Sequence, residues 1–202
     1  MIYSERIRLR AAERSDLPRF LTWINDPEVT AGLSLIYPFS STDEEDWFEN
    51  MLKMPQAEHA MVIEVRVPGV RPPAAVSFPP DAMPPEVEWV PIGTCSFFKI
   101  DWRNRSAELG ISIGEKRFWN QGYGTETMRL LVKYGFETMN LHRIWLRVFA
   151  SNPRAIRSYE KTGFKHEGRM REAEYRNGVY VDVLLMSILE NERKHAPTSP
   201  TP

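Results

Sequence analysis

Cysteine is nearly missing from this chain. Cys95 stands alone, so neither an internal disulfide nor a thiolate metal cluster can form, and a reducing cytoplasm is the expected setting. Charge of one sign is missing as well. The formal net charge is -1, which gives no global pull toward nucleic acid or an anionic membrane. No apolar run approaches the roughly 20 residues that span a bilayer, and residues 1–6 lack the apolar stretch of a signal peptide. The four histidines show no ligand spacing, so no metal is expected. What remains is 42% hydrophobic and 26% charged over 202 residues, which suits one soluble domain with a full core.

Ile7, Leu9 and Ala11 alternate with Arg8 and Arg10, the period of a strand. Ser15 or Asp16 caps a helix with Leu17, Phe20, Leu21 and Ile24 as its apolar stripe, and Asn25-Asp26-Pro27 stops it. A second helix opens at Ser41 and carries Trp47, Phe48, Met51 and Leu52. Further strands are expected at residues 61–65, 92–100, 107–113 and 142–149, and helices at 124–139 and 152–162. A closing hairpin is expected about Arg176-Asn177-Gly178, because Asn-Gly is the strongest short hairpin signal. Residues 68–91 hold eight of the sixteen prolines. Proline neither donates to a sheet ladder nor continues a helix, so this stretch reads as an irregular insertion. The pattern implies one α/β (α+β) domain over residues 1–190, a mixed central sheet flanked by helices, and a flexible tail at 191–202.

Residues 109–131 read strand, loop, helix. The loop runs through Trp119-Asn120-Gln121-Gly122-Tyr123-Gly124-Thr125. A helix start offers unpaired N–H groups and partial positive charge, and two glycines let that backbone approach an anion closely. Lys116 and Arg117 add charge nearby, so a diphosphate is a candidate guest and a tight turn the plain alternative. A P-loop is disfavoured because Thr125-Glu126 follow Gly124 where Lys-Ser/Thr is required. The dinucleotide fingerprint lacks its third glycine, replaced by Thr127, and its acid, since residues 147–150 read Arg-Val-Phe-Ala.

The segment Asn152-Pro153-Arg154-Ala155-Ile156-Arg157-Ser158-Tyr159-Glu160-Lys161-Thr162-Gly163-Phe164 is more specific. Asn152 is a good N-cap and Pro153 a good first helical residue. Gly163 suits the left-handed position after the helix, with Phe164 folding back on Tyr159. Together with the glycine loop, with residues 107–110 (Ala-Glu-Leu-Gly) and with residues 171–178, this segment resembles the GNAT superfamily of N-acetyltransferases. Residues 107–110 and 171–178 resemble the branch containing ribosomal-protein alanine N-acetyltransferases, and the 152–164 stretch also resembles some aminoglycoside 6′-N-acetyltransferases and polyamine acetyltransferases. The resemblance spans about residues 6–189. The proline-rich insertion departs from it, as does Trp119, which stands where many members carry Gln or Arg.

The resemblance implies a sheet whose fourth and fifth strands, here 107–113 and 142–149, splay apart to admit the pantetheine of acetyl-CoA. Ile111, Ser112 and Ile113 then offer backbone groups to pantetheine, Trp119 to Thr125 hold the pyrophosphate, and Asn152 reaches the pantetheine from its helix start. The implied reaction is acetyl transfer from acetyl-CoA to a primary amine, on a protein N-terminus, an aminoglycoside or a polyamine. A non-catalytic acyl-CoA-binding module is the alternative. A monomer or homodimer without nucleic-acid or membrane partners is expected.

Such chemistry needs an oxyanion donor, a base and an acid. A backbone N–H near residues 111–113 supplies the first. Tyr159 is the candidate acid for the departing thiolate, or else a core aromatic. A free phenol at about 10 against a thiol at about 8.5 makes full transfer uphill by roughly 2 kcal/mol. Glu108 is the candidate base, on the strand face opposite Ala107, Leu109, Ile111 and Ile113. Its rivals are Glu172 and Glu174.

Overall fold

In the computed structural model, which describes residues 1–67 and 88–192, the alternating segments join one sheet. Its strands are β1 (Ile2–Tyr3), β2 (Ile7–Ala11), β3 (Met61–Val67), β4 (Glu88–Asp101), β5 (Ser106–Ile113), β6 (Arg143–Phe149), β7 (Lys165–Arg176) and β8 (Val179–Leu189). Their order across the sheet is β1-β2-β3-β4-β5-β6-β8-β7. The helices among the described residues are α1 (Leu17–Ile24), α2 (Pro27–Thr30), α3 (Ser41–Leu52), α4 (Tyr123–Glu137) and α5 (Pro153–Thr162).

Two apolar layers sandwich the sheet. On one side α4 and α5 set Met128, Leu131, Phe136 and Tyr159 against Phe97, Leu109, Ile144, Leu146, Met186 and Ile188. On the other, Leu17, Phe20 and Trp23 of α1 and Phe48 and Met51 of α3 pack on Val62. Trp47 and Leu52, expected in the stripe of α3, are exposed instead.

Every neighbouring pair is antiparallel except β5–β6. That parallel pair is short: Ser106, Ala107 and Glu108 face Arg143, Ile144 and Trp145, and pairing then stops. From Leu109 onward β5 stays on β4, while Leu146–Phe149 stay on β8. The two strands therefore diverge where the resemblance implies. They are fifth and sixth in chain order because the two-residue β1 was not foreseen.

Most of the proline-rich stretch and residues 193–202 of the expected tail lie outside the described residues. The last part of the stretch is not irregular, however. Glu88–Pro91 begins β4, and Pro91 sits opposite Glu64 where the register shifts between Ile63 and Glu64. A bulge is a place where a strand tolerates proline.

Candidate active site

A cleft of about 660 Å³ opens where β5 and β6 part. Its walls are the end of β5, the loop into α4, the start of α5, the α2 loop and the β7–β8 hairpin.

The loop wall shows why glycine stands there. Gly122 is the N-cap of α4 with φ +84°, a left-handed conformation, and α4 has no side-chain cap. Its first N–H groups are thus left to an incoming acceptor of hydrogen bonds. A Cβ at Gly124 meets only an Ile113 side-chain carbon at 4.0 Å, so the backbone there borders open space. Thr125 is fixed by Ser158 across the α4–α5 junction, Oγ to Oγ 2.9 Å. Asn120, Gly122, Tyr123, Gly124 and Thr125 all line the cleft. This cradle, positive by helix dipole and free of side-chain bulk, fits a diphosphate.

Several expected contacts fall elsewhere. Gln121 is not in the wall; its Nε2 donates to the Arg117 carbonyl. Trp119 lines the cleft, but its Nε1 donates to the Ile113 carbonyl at 2.7 Å rather than standing free for a ligand. Its ring lies under Arg154, 3.9 Å from guanidinium carbon to ring centre. Lys116 does not face the phosphate cradle. Its ammonium is held by Asp26 at 2.7 Å and by Glu28. The basic side chains that do line the cleft on this side are Arg154, Arg157 and Lys161 of α5.

Asn152 caps α5, its Oδ1 accepting the Ala155 N–H at 3.1 Å, and lines the cleft beside Gly32 of the α2 loop. Gly163 ends α5 at φ +104°, as its position in the motif requires.

Tyr159 is 8% exposed, and its ring lies 6.0 Å from that of Phe164. The hydroxyl has no hydrogen-bond partner among the described residues, and the side chain lines the cleft. Burial pushes its pKa up to about 12. A core aromatic and a cleft-facing phenol are therefore the same residue.

Glu108 lies on the cleft floor, 4% exposed. Its Oε1 accepts from Arg147 Nε at 2.8 Å. Its Oε2 is 2.8 Å from Lys99 Nζ, in ion-pair contact without hydrogen-bond geometry, and is closed off from solvent. Both oxygens thus have a cation beside them. Of the rivals, Glu174 lines the cleft and accepts from Ser34 Oγ at 3.3 Å. Glu172 does not line the cleft.

The wall on the β6 side was only partly read from sequence. Phe98, Arg147, Phe149 and Val183 line it, and Arg176 ties the hairpin to the Thr30 and Leu33 carbonyls of the α2 loop. Strict alternation along β6 was the available signal: Leu146 and Val148 face the α4–α5 core, which turns Arg147 and Phe149 the other way.

Comparison with known proteins agrees with this geometry. A family model described as an acetyltransferase (GNAT) domain matches residues 6–165. The chain is 30% identical over 194 residues to the uncharacterized N-acetyltransferase p20 of Bacillus licheniformis, covering 95% of this chain and 97% of that one. It is 29% identical to a spermidine N(1)-acetyltransferase of Vibrio cholerae serotype O1, covering 94% and 96%. The crystal structure of a spermidine N-acetyltransferase from Vibrio cholerae in complex with CoA and spermine superimposes with a TM-score of 0.78 at 26% identity, covering 95% of this chain and all of that chain.

Proposed function

The chain belongs to the GNAT acetyltransferase family, and from that premise we propose that it moves the acetyl group of acetyl-CoA directly to a primary amine in a ternary complex in this cleft. The observation that carries the proposal is the end of β5–β6 pairing at Glu108 and Trp145, which opens a slot between the Gly122–Gly124 cradle and the Tyr159 hydroxyl. Acetyl-CoA, when bound, supplies a thioester and a thiolate leaving group. The chain's own residues do the rest. The N-terminus of α4 holds the diphosphate, and the free edge of β5 at Ile111 and Ser112 binds pantetheine and offers an N–H to the oxyanion. Tyr159 donates to the sulfur.

Glu108 places negative charge at the acceptor end and anchors Arg147. With a cation beside each oxygen, it receives the amine's proton only by way of a water. Glu174, whose hydrogen-bond partner is Ser34, is the second carboxylate able to serve. An N-terminal α-amine of a protein fits the open acceptor mouth. The spermidine acetyltransferases among the relatives favour a polyamine as the second reading.

Binding of acetyl-CoA to the native state stabilises it by about 2.7 kcal/mol at 100 times the dissociation constant. For a chain of this size that is roughly 5–10 °C in melting temperature. No shift with millimolar acetyl-CoA or CoA contradicts the proposal.

A further inference from the structure

We infer that Arg147 is the acceptor's anchor, so that the amines acetylated here carry a carboxylate close to the amine and not a second ammonium. The inference rests on the acetyltransferase reading above and narrows its acceptor.

Arg147 lines the cleft with 45% of its side chain exposed. Only its Nε is used, in the bond to Glu108. Neither terminal nitrogen donates a hydrogen bond among the described residues. A guanidinium held at Nε by a buried carboxylate keeps its outer fork aimed and free, which is the geometry that takes a carboxylate in two parallel bonds.

The cofactor does not need this cation. The α4 cradle adjoins Ile113, whereas Arg147 is fixed at Glu108. Five residue steps along β5 separate them, about 17 Å at the rise of a strand. Pantetheine, which runs between, is uncharged.

The surrounding charges point the same way. Glu108 is shared by Arg147 and Lys99, so that group retains one positive charge. Lys116 is shared by Asp26 and Glu28, so that group retains one negative charge and each of its carboxylates has a cation beside it. Arg176 lies over Phe149 with its fork on backbone carbonyls. Glu174 is then the carboxylate in this wall without a cationic partner among the described residues. With Arg154, Arg157 and Lys161 on the α5 side by the glycine loop, the free carboxylate of Glu174 and the free fork of Arg147 match an ammonium and a carboxylate on one molecule. A polyamine places a further cation against Arg147. Phe98, Phe149 and Val183 in the same cleft suit an apolar side chain or methylene stem.

The shared chemistry, a primary amine bearing a carboxylate, occurs in a free amino acid or in a peptide whose first residue is acidic. Two matched pairs distinguish these sources: phenylalanine against phenylalaninamide, and Asp-Ala-Phe amide against Asn-Ala-Phe amide. Spermidine is the cationic comparison. In at least one pair the carboxylate member has kcat/KM about 10–100-fold above its amide, the worth of one charge-assisted contact. The advantage disappears in Arg147→Gln, returns in part in Arg147→Lys, and leaves the KM for acetyl-CoA unchanged. Equal rates within both pairs, a preference for spermidine over all four, or an equal loss on every amine in Arg147→Gln overturns the inference. If acetyl-CoA raises the melting temperature but none of the five amines turns over, the same pairs are titrated into the CoA-saturated protein. A carboxylate preference in the further melting shift upholds the inference, and its absence overturns it. Loss of the acetyl-CoA shift itself marks instead a failure of the acetyltransferase reading.

Discussion

Replacing Tyr159 by Phe removes one oxygen and little else. The hydroxyl has no partner among the described residues, so the variant orphans no buried group, and the ring contact with Phe164 at 6.0 Å persists. Stability is expected to change by no more than about 0.5 kcal/mol, or roughly 1–2 °C. The effect on turnover follows from burial. With the hydroxyl pushed up to about 12 and an ordinary thiol near 8.5, full transfer of the proton runs uphill by roughly 5 kcal/mol. The same dry surroundings raise the thiol as well, which narrows the gap, and the phenol does most as a donor to the charge growing on sulfur. A hydrogen bond to a charged group is worth about 1.5–3 kcal/mol, so kcat falls about 10–150-fold. The KM for acetyl-CoA moves far less, and a thioester with a more acidic thiol loses less. The stability profile carries an independent mark. The folded pKa lies above the unfolded value of about 10, so the neutral phenol's contribution is complete below pH 10 and is lost as pH rises toward 12. The Phe variant melts with a flatter profile over that window. Steady-state thiol release and thermal melts measure both effects. Parental turnover in a variant that melts like the parent refutes the role of the hydroxyl.

Gly124→Val folds, since a Cβ there meets only Ile113 at 4.0 Å, and it loses CoA affinity in a calorimetric titration; Gly122→Val, forced to φ +84°, also melts lower. Parental affinity in Gly124→Val removes the diphosphate from this loop. Glu108→Gln lowers turnover by about 10²–10⁴-fold without weakening acetyl-CoA binding, and higher pH partly restores it; a rescue seen only in Glu174→Gln assigns the proton to that carboxylate. Burial pushes the Glu44 carboxyl of α3 up to about 7, so it weakens the fold as pH rises through that value. The melting temperature of Glu44→Gln therefore gains on the parent between pH 5 and pH 8, and equal melting at both ends contradicts that placement.

Local signals carried the fold, and long-range ones did not. The Asn152 cap, Pro153 and Gly163 lie within one helix and its ends, and each does in the structure what its chemistry dictates. The Asn177-Gly178 turn likewise joins β7 to β8. Asp16 shows the limit of local reading. Its carboxylate does not cap α1 but takes the Arg10 guanidinium, both oxygens at 2.7 Å, an arrangement created by the neighbouring strand. Trp119 read as part of a phosphate loop because its bond to the Ile113 carbonyl depends on the loop's return over β5. Lys116 read as phosphate charge because its partners, Asp26 and Glu28, lie some ninety positions earlier. Strand β1, two residues long, carries too little alternation to be seen. The β6 part of the cleft wall, Arg147 and Phe149, went unread for the same reason: the wall is assembled from the α2 loop, β6 and the final hairpin, and no single segment bears its pattern.

The central claim is transfer of acetyl to an amine in the cleft between β5 and β6. Incubating the purified full chain with acetyl-CoA and a panel of primary amines, while following free thiol and product mass together, tests it most directly. The account predicts thiol release that needs the amine, saturates with it and yields an amine heavier by one acetyl group. Acetyl-CoA that raises the melting temperature yet releases no thiol with any amine contradicts it and leaves an acyl-CoA-binding module.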